Sequence, residues 1–518
     1  MNKNNQDPAV SRYLDDVTEQ IAYKPLRPSI RQELEAHIED KIDEYQEYGA
    51  SPAKARQQAL HDMGDALTIG TELNQIHRIQ KAPGLTLATI LMLLAGFALS
   101  VFIQWPPERM VNILHHYVPG GILLILTVLK GYPFMIRHRK VLAISFILLY
   151  LIQIVVFILF YYYDSWLGIE KSAHYATLAF CPILATLLYC SRKNQKKPLL
   201  AGLGIISAWL VFIYWSEYYI ENTAAAILII STLCTVYFMI HQEILPGRKK
   251  QLYSATLTAA ILLGSPLFLS AGGRAQLKVF LTPESTINHP SNYAYTSFLI
   301  QELLPKTPLT HGLQLSSNEL LAYGTGEWYF ASRDPLRIKI NYSELTTEHL
   351  RQEYEEQISE LLERGGQPTY TTLSADNVTL SNILRGGHDH NNYLITLCIL
   401  HFGWLAGLIL LMIIAMFYIF MFSIIFKIHG YLASSVAFAC GQCLFWQGIF
   451  YTLGNFGHHY SQIPDLPLIS DGSFSMIFNL MLLGLIFSAY RHDHVMEEPL
   501  ELSSATVGPK DPNMPLPC

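Results

Sequence analysis

Leu408-Ile-Leu-Leu-Met-Ile-Ile-Ala-Met-Phe-Tyr-Ile-Phe-Met-Phe-Ser-Ile-Ile425 contains no charged side chain. The hydrocarbon core of a bilayer is about 30 Å thick, so about 20 apolar residues rising 1.5 Å each cross it as a helix. The quoted stretch belongs to an apolar run from 395 to 425. Working outward from it, similar runs occur at 85–105, 117–136, 141–161, 174–190, 199–216, 223–240, 252–270, 431–453 and 474–490. The chain therefore reads as all-α, a polytopic membrane helix bundle with about ten transmembrane helices.

Composition agrees with that reading. Of the 518 residues 51% are apolar and only 15% charged, whereas about a quarter of a typical soluble chain is charged. The first 80 residues differ: they carry 9 Lys or Arg against 14 Asp or Glu, a balance of −5 within a whole-chain charge of −6. An acidic segment repels a phosphate backbone, so the chain offers no nucleic-acid surface. The amino terminus is polar up to the first apolar run, and that run is expected to start insertion itself.

Charge also sets the predicted topology. Arg137, Arg139, Lys140, Arg192, Lys193, Lys196, Lys197, Arg248, Lys249, Lys250, Lys427 and Arg491 all follow even-numbered spans, while the 454–472 loop has no Lys or Arg. Under the positive-inside rule both termini face the cytoplasm and the hydrophilic insert faces outward. The expected organisation is a cytoplasmic helical prefix at 1–80, helices one to seven at 81–271 and a large external loop at 272–391. Helices eight to ten follow at 392–492 with an outer loop at 454–472, and then a disordered tail at 493–518 rich in proline.

Local patterns fill in the parts. In the prefix, Ser29 is a predicted cap for a helix with Ile30, Leu34, Ile38, Ile42 and Tyr45 on one face and Gly49 as its stop. Ser51-Pro52 starts a second helix ending at Gly64, and 66–79 forms a third. Glu33, His37 and Asp40 read as a solvated face, since no HExxH-type metal spacing occurs. In the insert, Leu350, Tyr354, Ile358 and Leu361 share a helical face, with Gly365-Gly366 ending the run. The seven cysteines lie at 181, 190, 234, 398, 440, 443 and 518, six of them in apolar runs, which argues against a disulfide framework. Cys440-Gly-Gln-Cys443 falls inside a span, where packing is its expected role. Gly403 and Gly407 read as a helix-packing pair, and no cofactor is evident; a divalent cation has no ligand set to place it.

Three segments in order resemble the SEDS family, the FtsW, RodA and SpoVE type of cell-wall glycan polymerases. Lys278-Val-Phe-Leu-Thr-Pro-Glu284 followed by Tyr293 resembles the opening of that family's large external loop. His390-Asn-Asn-Tyr-Leu-Ile395, continuing to Phe402-Gly403, resembles the His-Thr-Asp-Phe-Ile-Phe segment before span eight. Leu466-Pro-Leu-Ile-Ser-Asp-Gly-Ser473 resembles the Leu-Pro-Phe-Ile-Ser-Tyr-Gly-Gly loop before the last span. The likeness covers mainly 272–490. The prefix, with Arg31-Gln-Glu-Leu-Glu-Ala-His-Ile-Glu-Asp40 and Ala59-Leu-His-Asp-Met-Gly-Asp65, looks like the helical permease-prefix module of Gram-positive membrane proteins.

The resemblance implies a lipid II-type polyprenyl-pyrophosphate substrate, a bacterial plasma-membrane location and a penicillin-binding transpeptidase as partner. In such a polymerase a sugar hydroxyl attacks an anomeric carbon and must lose a proton, which the family's carboxylate accepts. That position is Asn392 here, and an amide accepts no proton at physiological pH. Asp389 and His390 are the alternative catalytic candidates, flanked by His388. Arg274 and Lys278 are the expected pyrophosphate contacts, and Ser470, Asp471 and Ser473 the expected lining of the cavity mouth. Asn392 serves equally well as the cap of span eight. His401 occupies the place of a family Glu. Three readings stay open: a glycan polymerase, a non-catalytic relative that binds a lipid-linked precursor or a partner, and a lipid permease. Few ionisable groups lie in the spans, which counts against an ion-coupled pump.

Overall fold

A computed structural model describes residues 7–103, 108–142, 180–190, 222–269, 271–282, 293–316, 337–341, 367–371, 380–385, 393–460, 463–470 and 473–495, with single positions between them. The prefix holds four helices rather than the expected three: α1 (Pro8–Glu19), α2 (Arg27–Glu47), α3 (Pro52–Met63) and α4 (Ala66–Ile76). Helix α1 is the addition. Asp7 caps it by accepting a hydrogen bond from the Ala9 amide at 2.9 Å, and Pro8 sits in its first turn. Its Leu14 and Val17, with Ile21 just beyond, join Ile30, Leu34 and Ile38 of α2 in a small apolar core of the prefix's own. Helix α2 begins at Arg27 with Pro28 in the first turn, so Ser29 lies inside the helix and is not its cap. Asp65 caps α4 through the Thr68 amide at 2.9 Å. Glu33, His37 and Asp40 are exposed, as expected of a solvated face.

The membrane-like part begins with α5 (Pro83–Ile103) and α6 (Glu108–Arg137), followed by α7 (Phe180–Cys190), α8 (Asn222–His241), α9 (Lys249–Leu269) and α10 (Ala271–Leu281). After α11 (Tyr293–Leu303) and a short α12 (Leu380–Arg385) come α13 (Leu394–Phe402), α14 (Trp404–Ile425), α15 (Tyr431–Asn455) and α16 (Ser473–His492). Among the described residues six helices are long and apolar enough to cross a membrane: α5, α6, α8, α14, α15 and α16. Helix α9 coincides with the expected seventh span and α7 with most of the fourth. The third and fifth expected spans lie almost wholly outside the described residues, as do the 350–361 helix of the insert and most of the tail. The all-helical expectation needs one small correction, since Arg337–Asn341 and Gln367–Thr371 pair as β1 and β2, two parallel strands.

Helix directions follow from the contacts. A Cβ on Gly84 of α5 would stand 3.0 Å from Phe420 near the end of α14, so these two run in opposite directions. Gly120 of α6 faces Leu480 and Met476 of α16, and the Tyr132 amide donates to Ser488 Oγ at 3.1 Å, so α6 and α16 run the same way. Phe238 stacks on Phe438 at 4.2 Å, setting the end of α8 against the start of α15. The bundle thus has a prefix end, with Arg137, Arg192, Lys249, Lys427 and Arg491 at helix termini, and an insert end where the 454–472 loop has no Lys or Arg. At the prefix end His77 Nδ1 lies 2.8 Å from the His494 carbonyl and Tyr23 meets the His492 ring edge-on. The prefix and the end of the last helix therefore share one side.

Leu87, Ile90, Leu94, Ile122, Ile125, Leu257, Ile261, Leu408, Met412 and Ile419 form exposed apolar belts on α5, α6, α9 and α14. Surface of that kind is stable against lipid tails, not water. The inner faces use small residues and amides. Gly448 accepts the Tyr418 ring, whose hydroxyl donates to the Leu444 carbonyl at 2.9 Å, and Gln447 Nε2 donates to Asn479 Oδ1 of α16 at 3.0 Å. Cys440 and Cys443 are buried free thiols, and the Cys443 thiol donates to the Leu178 carbonyl at 3.6 Å, in keeping with a packing role.

The expected eighth span, 395–425, is not one helix. It breaks at Gly403, where φ is +88°, into the buried α13 and the 22-residue α14. A side chain at 403 would meet His311 N and Leu309 O at 2.8 Å. The 308–313 loop docks there: Trp404 N donates to Pro308 O at 3.1 Å, Leu405 N to Leu309 O at 2.8 Å, and Leu313 N to Leu400 O at 2.8 Å. Backbone groups freed by the break are thereby paired, as an apolar surrounding requires. Gly407 packs against Ile399, so its predicted packing role stands while Gly403 has a conformational one.

Candidate functional site

The start of α13 is the best-built polar feature of the insert end. A helix entering an apolar core leaves its first amides without partners. Helix α15 supplies them: Leu394 N donates to the Tyr451 hydroxyl at 3.0 Å, and Thr396 N donates to Asn455 Oδ1 at 3.1 Å. The Thr396 hydroxyl donates to the Asn455 carbonyl at 2.6 Å. Pairing of 394 with 451 and of 396 with 455 means that α13 and α15 point the same way. Tyr393, fully buried, holds the cap position without a side-chain capping bond, so Asn392 is not the cap of this helix.

Around this start gather residues from three other segments. His459, from the turn after α15, is hydrogen-bonded through Nδ1 to the hydroxyl of Ser297 on α11. Its ring meets Tyr393 edge-on at 5.6 Å and 89°. Burial, reinforced by neighbouring His458, lowers the His459 pKa to about 3, so the imidazole is neutral at physiological pH. Burial likewise pushes Tyr460 up to about 12. Gly457, at φ +87°, lets the turn press on α11, since a Cβ there would lie 2.7 Å from Ser297 O. His458 Nδ1 lies 3.0 Å from Phe280 O at the end of α10.

The 463–470 loop closes the group. Leu466 N donates to Ser470 Oγ at 2.8 Å, Asp465 N donates to Tyr175 Oη at 2.9 Å, and Ser470 is buried beside the Tyr451 hydroxyl. Tyr451 thus joins the chain directly after Asn392 to the loop that carries Ser470. The result is a desolvated knot of hydroxyls, amides and one imidazole, with the half-buried Asp465 carboxylate at its edge. Such a group can orient a polyol by hydrogen bonding, but its named side chains include no cation to bind a phosphate.

Among the sequence-predicted residues, Ser470 belongs to this knot. Asn392, Asp389, His390 and Asp471 lie outside the described residues, and of Ser473 only the backbone, at the start of α16, is described. Arg274 and Lys278 are exposed on α10; the Arg274 guanidinium donates to the Leu269 carbonyl at 2.7 Å, while Lys278 sits just before Phe280 and hence near the His458 turn. His401 is exposed in the last turn of α13. Sequence reasoning missed Ser297, Thr396, Tyr451, Asn455 and His459. Single polar residues on apolar helices carry no spacing signal, although His458-His459 in a loop without Lys or Arg was a usable hint. Away from this end, His429, Asp493 and His494 bring three donor atoms within 4.8 Å of one another, close enough for a metal ion.

Fold and site together define a polytopic helical protein with the apolar helices of a membrane protein and a buried polar knot at one end. No protein-family model matches the chain, and no curated protein matches it either.

Proposed function

We propose that this chain is a SEDS-like protein of the bacterial plasma membrane that receives a lipid II-type polyprenyl-pyrophosphate precursor at the outer, insert end of its bundle. In this reading both termini are cytoplasmic, and the protein serves the cell-wall and division machinery beside a penicillin-binding transpeptidase. The supporting observation is the meeting of two segments on one side chain. The chain following Asn392 and the loop holding Ser470, each independently similar to the family, both reach Tyr451.

The chemistry favours binding over turnover. Glycan transfer needs a group that accepts a hydroxyl proton, and Asn392 is an amide. His459 is neutral and so formally able to accept, yet a pKa of about 3 makes it a weak base. Arg274 and Lys278, at the start of the insert just beyond α9, suit a pyrophosphate at the membrane surface. The expected wild-type behaviour is therefore capture of the lipid-linked saccharide with little or no polymerisation.

The test is incubation of the purified protein and its Asn392→Asp variant with fluorescent lipid II in liposomes, read by binding and by glycan ladders on gels. Ladders that appear or rise by about tenfold or more with Asn392→Asp support a polymerase-type cavity lacking only its base. Binding by both proteins without ladders supports the precursor-binding relative. Failure of either protein to bind lipid II removes the proposal.

A further inference from the structure

We infer that His429, Asp493 and His494 form a divalent transition-metal site, of the Zn²⁺ type, at the prefix end of the bundle. The three residues come from two turns: the one between α14 and α15, and the one that ends α16. Asp493 is the organiser. Its carboxylate is fully buried, with 0% side-chain exposure, and accepts hydrogen bonds from His429 N at 2.9 Å and Gly430 N at 2.7 Å. These bonds satisfy the start of α15 and also fix the orientation of the carboxylate, the task that outer-shell bonds perform at metal centres.

With one lone pair of each oxygen engaged by an amide, the remaining capacity of Oδ2 points to the imidazoles. It lies 3.4 Å from His429 Nδ1 and 3.9 Å from His494 Nε2, and the two rings are 5.2 Å apart between centroids. A tetrahedral ion with bonds of about 2.0–2.2 Å separates its donors by roughly 3.3–3.6 Å. The first distance already fits. The second needs a shift of a few tenths of an ångström by the His494 ring, whose side chain is 34% exposed. The exposed His429 ring is free to close on the ion, so that all three donors, which lie within 4.8 Å of one another, come into range. Two imidazoles and one carboxylate leave a fourth position for water and select for the Zn²⁺, Co²⁺ and Ni²⁺ group over Mg²⁺ or Ca²⁺.

The placement gives the site a consequence for the prefix. His494 carries the carbonyl that faces His77 Nδ1 at 2.8 Å, directly after α4. A metal ion holding the His494 ring would fix the backbone on which the prefix rests.

The experiment uses full-length protein without a polyhistidine tag, stripped with a chelator and titrated with Co²⁺ while the visible ligand-field bands are recorded. Zn²⁺ then competes for the site. The expected result is one Co²⁺ per chain, intensified bands indicating four-coordination, and displacement by Zn²⁺ but not by Mg²⁺. His429→Ala combined with His494→Ala should weaken binding at least about tenfold while leaving the metal-free elution profile unchanged. Equal stoichiometric binding by the double variant would overturn the site, because the ion would then sit on other histidines. So would a wild type that binds no Co²⁺ up to about 100 µM.

Discussion

The two ends of the bundle solve the same problem, burial of polar groups next to an apolar interior, in opposite ways. At the insert end the paired side chains are uncharged and shared: Ser297, Thr396, Tyr451, Asn455, His459 and Ser470 come from α11, α13, α15, the turn after it and the 463–470 loop, and burial keeps the His459 imidazole uncharged. At the prefix end it is charged and local. One buried carboxylate, Asp493, is met by two backbone amides, with exposed bases around it. Desolvating an ion costs several kcal/mol unless it is well paired, whereas a hydrogen-bonded neutral group costs little. The insert end is thus suited to a saccharide-like or lipid-like contact, and the prefix end to ions and to water.

The largest test of this contrast is at Gly403, where the insert-end knot is joined to α14. Gly403→Val places a β-branched residue at φ +88° with backbone atoms 2.8 Å away. The expected cost is about 3–5 kcal/mol, seen as a lower apparent melting temperature and loss of monodisperse protein in detergent. Gly49 in the prefix has nearly the same φ, +87°, but a methyl group added there would meet nothing within 4 Å. Gly49→Ala should therefore cost only about 1 kcal/mol. Equal effects at the two glycines would remove the distinction between a packed joint and an open turn.

A middle-sized effect concerns pH. His459 is held at about 3 when folded and returns to its ordinary value, near 6.5, when unfolded. Between those values the unfolded chain binds the extra proton, so this group's stabilisation is present above about 6.5 and declines as the pH falls toward 3. From pH 6.5 to pH 5 the loss is about 2 kcal/mol. Apparent melting curves of wild type and His459→Gln, measured across that interval, should converge as the medium is acidified. A constant offset between them would show that His459 is not buried neutral.

The smallest expected effect is at the prefix end. Lys249 donates to Glu243 at 2.6 Å, and the contact raises the lysine pKa and lowers that of the glutamate. Both groups are solvated, so Glu243→Gln should leave the melting midpoint within error at physiological salt. A clear drop would mean that surface charge carries more of this end than the contrast allows.

Much of this architecture was legible in the order of residues. Hydropathy located α5, α6, α8, α14, α15 and α16, and Ser51-Pro52 announced a helix start because a first-turn proline acts locally. The break at Gly403 was hidden: apolar residues continue on both sides, and a glycine in such a run more often serves packing. Helix α1 escaped because its apolar face makes sense only against α2 and α4. The knot was illegible for a related reason. Asn455 and Thr396 are 59 positions apart and Ser297 and His459 are 162 apart, so only the fold brings them together. Ser470 was anticipated solely through its resemblance to a known loop.

Helix α16 has one further property. It is a 20-residue rod, about 30 Å long, flanked along its length by α6. One tip carries the His494 carbonyl against which the prefix leans; the other starts three positions after Ser470. Any tilt of the four-helix prefix that preserves the His77 contact must lever this shaft. A displacement at the prefix end would then reach the opposite end of the bundle through a single rigid part.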